Sequence, residues 1–275
     1  MAYIPESMLH SLCTGFDGLC SVYLSVPSTG EAFTFNADKK INSASTIKIP
    51  LLAFLFKDAM EGTIDLDEPV PLGDDGVSGG SGVIKFLSPQ IRLSLYDYAV
   101  LMMIYSDNTA TNKIIDTLGM GRANAFFKEN GWNDTVLARK MMAPIGTNLT
   151  SARDLGNILT QIYEKKLVSQ EASNRMLSIM ACQQLGKLDK SLPNVWRPSS
   201  THVPVTAVPE GRVVLAQKGG TLSNIGILHD TGIMLLPNGQ CAIMAVMTKS
   251  NNENKAFDFI KTVSRTVYDS LVKSE

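Results

Sequence analysis

The amino-acid sequence predicts an α+β fold, with an antiparallel sheet assembled from the two chain ends, flanked by helices, and an all-α region inserted between them. Three observations predict it. Segments rich in β-branched and aromatic residues, "LCSVYLSV" and "GEAFTFN", open the chain. Apolar residues then recur at spacings of three and four from about Ile47 to about Met180. β-rich segments return near the other end and are followed by an amphipathic helix. The expected division is a sheet domain of residues 1–44 and 205–275 and a mostly helical domain of residues 45–204, with a ligand cleft between them.

The first two β-rich segments are joined by "PSTG", a turn signal that makes them a hairpin. Helical spacing follows in "IKIPLLAFLFKDAM", "LYDYAVLMMIY", "TNKIIDTLG", "RANAFFKENG" and "ARDLGNILTQIYEKK". Gly62, Gly119 and Gly131 stand where helix C-termini favour glycine. The Pro-, Ser- and Thr-rich stretch "LPNVWRPSSTHVPVTAVPEG" reads as a loop. Beyond it, "RVVLAQK", "IGILHDTGIMLL" and "QCAIMAVMT" read as strands, the last two joined by a tight turn at "PNG". The closing segment places Phe257, Ile260, Val263, Val267 and Leu271 on one helix face.

Composition narrows the function. A net charge of -1 gives no electrostatic reason for a nucleic-acid or acidic-membrane partner, so a small-molecule substrate is expected. The apolar runs at 49–56 and 98–105 fall short of the roughly 20 residues a membrane span needs. The N-terminal stretch lacks the basic end and apolar run of a secretory signal, which favours the cytoplasm unless a signal has been removed. Cys13, Cys20, Cys182 and Cys241 form no CxxC pair, and His10, His202 and His229 are scattered, so neither a metal nor another cofactor is implied. A disulfide between Cys13 and Cys20 is possible, but free buried thiols are the simpler reading. Oligomeric state is left open.

Three short motifs carry chemistry. In "SASTIK", Ser45 and Lys48 lie about one turn apart, roughly 5 Å along the axis, at the start of an apolar helix. A serine hydroxyl needs a neighbour to take its proton, and a desolvated lysine can do so. The alternative is a capping serine beside a surface lysine. In "YSDNTATN", Ser106 offers a second hydroxyl for proton transfer and Asn108 an amide for a substrate carbonyl, although such triplets also punctuate helices. In "LAQKGGT", Lys218 supplies a fixed positive charge for a substrate carboxylate, and two glycines let a ligand approach; a strand-end lysine beside a glycine bulge is the plainer account.

Taken together and in this order, Ser-x-x-Lys, Ser-Asp-Asn and Lys-x-Gly resemble the signature of the class A β-lactamases and penicillin-binding proteins. The resemblance runs from about Leu19 to Leu271, with Asn112 matching a structural asparagine of that family. It implies the β-lactamase/transpeptidase-like fold. Ser45 would be the acylated nucleophile, Lys48 its base and Ser106 the proton donor to the leaving nitrogen. Asn108 would bind Lys48 and the substrate amide, and Lys218, Gly220 and Thr221 would line the substrate. The backbone N–H groups of Ser45 and Thr221 would form the oxyanion hole.

Two departures qualify the resemblance. The family has Thr or Ser after the motif lysine, where this chain has Gly219, and Thr221 is the expected replacement for the missing hydroxyl. The family also carries a glutamate on a loop opened by an arginine, and that glutamate activates the deacylating water. Here the stretch is "LARKMMAPIGTNLTS", with Arg139 at the loop start and Met141 in place of the acid. Asp154, the next acid, reads as part of a Ser151 capping box. His229 and Asp230 are adjacent on a predicted strand and so point to opposite faces, which argues against a Ser-His-Asp triad. The expectation is a serine hydrolase that opens β-lactam amides through a Ser45 acyl-enzyme and deacylates slowly. An amidase, esterase or D,D-peptidase with another substrate is the alternative, and a non-catalytic ligand-binding protein is the third reading.

Overall fold

The computed structural model describes residues 4–72, 76–205 and 207–272. The chain opens with helix α1 (Glu6–Thr14), followed by the hairpin β1 (Leu19–Val26) and β2 (Glu31–Phe35) and a short β3 (Ile41–Asn42). Then come α2 (Lys48–Met60), the ribbon β4 (Pro69–Pro71) and β5 (Arg92–Ser94), and α3 (Leu95–Ile104), α4 (Asn108–Leu118) and α5 (Met120–Glu129). A short β6 (Leu149–Thr150) precedes α6 (Ala152–Tyr163) and α7 (Gln170–Ala181). Strands β7 (Val214–Leu222), β8 (Ile227–Leu235) and β9 (Cys241–Lys249) and helix α8 (Glu253–Val272) close the chain.

The main sheet runs β2-β1-β9-β8-β7 with every neighbour antiparallel, so the N-terminal hairpin is joined to the C-terminal strands through the β1–β9 pair. The "PSTG" turn closes on Val26 O, with Gly30 at φ 73°, a value only glycine adopts at no steric cost. β7 is the outer strand, so its free edge keeps unpaired backbone groups at the side where α2 begins.

One apolar cluster lies between the sheet and helices α2 to α7, and a second lies between the sheet and the terminal helices α1 and α8. Ala216 and Ile243 belong to the first, while Leu215 and Met244 belong to the second. Both faces being covered, β7, β8 and β9 are buried almost throughout. The stripe on α8 holds Ile260, Val263, Val267 and Leu271 as expected and adds Ala256 and Phe259, while Phe257 is only partly buried. Phe259 takes the inner position, packed against Phe16 with ring centroids 4.6 Å apart and planes tilted by 39°.

Local chemistry sets the helix ends near the cleft. Ser94 caps α3 in a reciprocal box with Asp97, and Asp107 caps α4 by accepting from Ala110 N. Ser151 accepts from Asp154 N, as a cap should, but the Asp154 carboxylate does not complete the box: it accepts from Asp134 N and Thr135 Oγ1, both at 2.8 Å. All four cysteines are free and buried. No helix among the described residues is long and apolar enough to cross a membrane.

Candidate active site

Ser45 does not sit in the α-helix proper. Ala44–Ile47 form a 3₁₀ turn that runs directly into α2, whose first residue is Lys48. Residues three apart eclipse one another in a 3₁₀ turn, which brings Ser45 and Lys48 to one side more directly than α-helical spacing does. The turn is fixed from several directions. Ala44 has φ 46°, and its N–H donates to Asn42 Oδ1 at 3.0 Å; Thr46 Oγ1 donates to Ser43 O at 2.7 Å. A non-glycine residue at positive φ persists only where its surroundings over-determine it. Ser45 itself is half-buried, open to a ligand.

Lys48 is wholly buried. Its Nζ donates to Ser106 O at 2.7 Å, Ser106 Oγ at 3.0 Å and Asn108 Oδ1 at 3.1 Å, so all three donors are used and none meets a carboxylate. Burial drives its pKa well below the ordinary lysine value, the nearby charge of Lys218 pushes the same way, and Asp107 opposes in part. Lys218, also fully buried, comes in from β7 and donates to Ser106 Oγ at 3.1 Å and Gly219 O at 2.8 Å. Desolvation, and then the charge of Lys187, lower it to about 7. The Ser106 hydroxyl is therefore held between two amines.

The Ser106–Asn108 segment is anchored to the "GGSG" stretch at 79–82 and the residues after it, which hydrogen bonds tie down. Asp107 Oδ2 accepts from Val83 N at 2.6 Å and Ile84 N at 2.9 Å, Asn108 Nδ2 donates to Gly79 O at 2.9 Å, and Asn108 N donates to Ser81 O at 3.0 Å. Gly220 completes the approach of β7. A Cβ placed there would lie 3.0 Å from both Ser45 N and Ala44 Cβ, so the missing side chain is what lets the strand pass this close to the nucleophile candidate. Thr221 follows at the exposed end of β7. Ser45, Lys48, Ser106, Asn108, Lys218 and Gly220 thus converge on one place.

The loop at 139–148 has its own clamps. Asn148 Oδ1 accepts from Ala138 N and Arg139 N, and its Nδ2 donates to Arg139 O. Asn112, one helical turn beyond Asn108 on α4, accepts from Met141 N at 2.7 Å and donates to Met141 O at 3.2 Å and Ser78 Oγ at 2.7 Å. The backbone where the family places its acid is thereby fixed, and the side chain there is an apolar one.

His229 takes no part as a base. Thr248 N donates to its Nδ1, so Nε2 carries the proton and donates to Asn42 O at 2.9 Å; burial lowers its pKa to about 4 and keeps it neutral. Asp230 points to the other face, where it accepts from Lys187 N and Leu188 N. Lys187 is the residue that local motif reading misses: its Nζ lies 2.7 Å from the position a Cβ would take on Gly219.

Residues 5–271 match the family model Beta-lactamase2, the β-lactamase enzyme family. The chain belongs to that family. It is 23% identical over 270 residues to an imipenem-hydrolyzing β-lactamase of Enterobacter cloacae, covering 96% of this chain and 88% of that one. Among solved structures it resembles PBP-A, with a TM-score of 0.85 at 28% identity over 97% of this chain and 95% of that one. It also resembles a β-lactamase of Sphaerobacter thermophilus, with a TM-score of 0.86 at 26% identity over 99% and 100% of the two chains. The fold is that of the serine β-lactamases, and this β-lactamase-family chain is a serine hydrolase.

Proposed function

We propose that the protein opens β-lactam amides by transferring the acyl group to Ser45 and that it releases that group slowly. The observation carrying the first part is the Ser106 hydroxyl held between the amines of Lys48 and Lys218. A hydroxyl has two acceptor sites and one donor. Once Lys48 has taken the proton of Ser45 and is an ammonium, both acceptor sites are occupied by amines and the Ser106 proton is left to be given outward, to a leaving nitrogen. The lowered pKa of Lys48 supports a neutral amine near neutral pH, the form that takes the proton of Ser45.

The steps follow. Ser45 Oγ attacks the carbonyl carbon while its proton passes to Lys48 Nζ. The developing oxyanion is held by the N–H groups of Ser45 and Thr221. The C–N bond breaks, Ser106 gives its proton to the nitrogen, and the proton on Lys48 replaces it, leaving an ester on Ser45. Asn108 accepts from Lys48 and offers its amide to the acyl side chain, and Lys218 faces the substrate carboxylate.

The absence of any Asp or Glu in residues 137–151 supports slow hydrolysis of that ester. A general base contributes about 10²- to 10⁴-fold to such a step. Among the relatives, a point mutant of PBP-A has been solved as its acyl-enzyme with penicillin G, and PBP-A is the neighbour at 28% identity. A second reading, an amidase, esterase or D,D-peptidase whose acyl donor is not a β-lactam, is favoured by Gly219 in the place of the family's hydroxyl.

Intact-protein mass spectrometry after brief exposure to a penicillin and a chromogenic cephalosporin, with hydrolysis followed in parallel, tests the proposal. A persistent adduct on the wild type and none on Ser45→Ala is expected. Rapid hydrolysis with no adduct would refute slow release, and neither adduct nor hydrolysis would leave the second reading in possession.

A further inference from the structure

His229 is fully buried and takes no part in the proposed chemistry, yet both of its ring nitrogens are engaged. An apolar side chain would fill such a volume with no polar atoms to satisfy, so an imidazole with both nitrogens committed is there for its particular partners.

Those partners lie on either side of it. Thr248 N, on β9, donates to Nδ1 at 3.0 Å, which fixes the ring and leaves the proton on Nε2. Nε2 donates to Asn42 O at 2.9 Å, on β3. Asn42 is the last residue before the turn that carries Ser45, and its Oδ1 accepts from Ala44 N at 3.0 Å. Ala44 stands at φ 46°, a conformation that an alanine keeps only under such support. Asn42 is therefore bound to the sheet through its carbonyl and to the turn through its side chain.

The strand register explains why position 229 can do this. His229 stands directly across from Gly220 in the β7–β8 pair, so both positions face the turn. At Gly220 a Cβ would lie 3.0 Å from Ser45 N and 3.2 Å from Ser43 O, and at His229 the imidazole spans the gap to Asn42. One neighbouring position lets the sheet approach the turn and the other fastens it. A further tie, Ser43 N donating to Asn148 O at 2.9 Å, comes from the segment before β6.

We propose that His229 is a positioning residue for acylation: its Nε2–H holds the Asn42 carbonyl and so sets where Ser45 N and Ser45 Oγ stand relative to β7 and Lys48. This rests on the reading of Ser45 as acyl acceptor. The residue touches neither substrate nor reacting atoms, and its effect passes through Asn42 and Ala44.

Three variants separate positioning from plain core stability. His229→Leu removes both hydrogen bonds. His229→Asn offers an oxygen in the place of Nδ1 for Thr248 N but is too short to reach Asn42 O. His229→Gln carries an N–H as many bonds from Cβ as Nε2 is. Acylation of Ser45 by benzylpenicillin, followed by intact-protein mass spectrometry across a range of concentrations, should have its maximal rate lowered about 10- to 100-fold in the Leu and Asn variants, since a shift of about 1 Å costs up to about 100-fold. The half-saturating concentration should change by less than about threefold, and His229→Gln should recover most of the rate. Rates that follow melting temperature instead of the Asn42 bond, or a half-saturating concentration that moves as much as the rate, would overturn the assignment. Asn42→Ala, which frees Ala44 N while leaving His229 intact, covers the case in which the His229 variants do not fold: it should slow acylation similarly, and an unchanged rate would overturn the proposal. If the wild type is not acylated, the reading of Ser45 fails first and the tie is judged by amide hydrogen exchange. Peptides within residues 41–47 should then exchange at least about tenfold faster in His229→Leu and His229→Asn than in the wild type and His229→Gln, with α4 unchanged, and equal exchange in all four would overturn it.

Discussion

Replacing Lys218 by methionine should make the protein more stable while removing the acylation proposed for Ser45. Lys218 is fully buried, and its amine is brought down from 10.5 to about 7 by desolvation and by Lys187, with Asp230 opposing. At 1.36 kcal/mol per unit, holding it protonated costs on the order of 5 kcal/mol relative to the unfolded chain. Between pH 7 and 10.5 the native state binds fewer protons here than the unfolded state, so wild-type stability rises with pH across that window, by at most about 1.4 kcal/mol per unit from this residue. Methionine removes that cost and gives up the bonds to Ser106 Oγ and Gly219 O, each worth about 1 to 2 kcal/mol. The net expectation at pH 7 is a gain of about 1 to 3 kcal/mol, or several degrees in melting temperature. Equilibrium denaturant unfolding at pH 7 and pH 9.5 measures both quantities. The variant should be more stable at pH 7 and climb less steeply toward pH 9.5, since Lys48 and Lys187, lowered for the same reason, still contribute. A variant less stable at pH 7 with an unchanged climb would refute the reasoning.

Two further outcomes follow from the same geometry. Met141→Glu puts a carboxylate on a backbone already clamped by Asn112, one turn from Asn108, and should shorten the acyl-enzyme lifetime by about 100-fold; an unchanged lifetime by mass spectrometry would count against the missing acid as the cause of slow release. Asp107→Ala strips the α4 cap and the acceptor for Val83 N and Ile84 N, and should cost about 3 to 4 kcal/mol; a melting temperature within about 2 °C of wild type would show that the anchoring is not borne by this carboxylate.

What could be read from the sequence divides along the range of the interactions. Ser45 and Lys48 were legible because three residues of one helical turn set their geometry, and the Ser106 and Lys218 motifs because each sits at the end of its own element. Asp154 shows where local reading stops: its N–H does what the cap predicts, but its carboxylate is captured by Asp134 and Thr135, which only tertiary packing brings near. The face of α8 is similar, since helical period alone does not choose between Phe257 and Phe259 until Phe16 is placed. Lys187 lay furthest out of reach. Only the pairing of β7 with β8, which sets Asp230 across from Gly219 and pins the Lys187 backbone to that carboxylate, brings its amine beside Gly219.

The same division bears on the proposed separation of acylation from release. The amines proposed to drive acylation owe their state to burial, to each other and to Ser106, Asn108 and β7; among the described residues none of the hydrogen bonds of Lys48 or Lys218 comes from the 139–148 loop. That loop is held separately, by Asn148 within itself and by Asn112 from α4. Exchanging an acid for methionine at position 141 therefore removes a base for water without disturbing the charge balance around Ser106. Had the loop acid been a partner of Lys48, its loss would have left a buried charge uncompensated and the acylation step would have suffered with it. Because Lys48 is satisfied by a carbonyl, a hydroxyl and an amide, the chain can lack the acid and keep the proposed base in place beside the turn that carries Ser45.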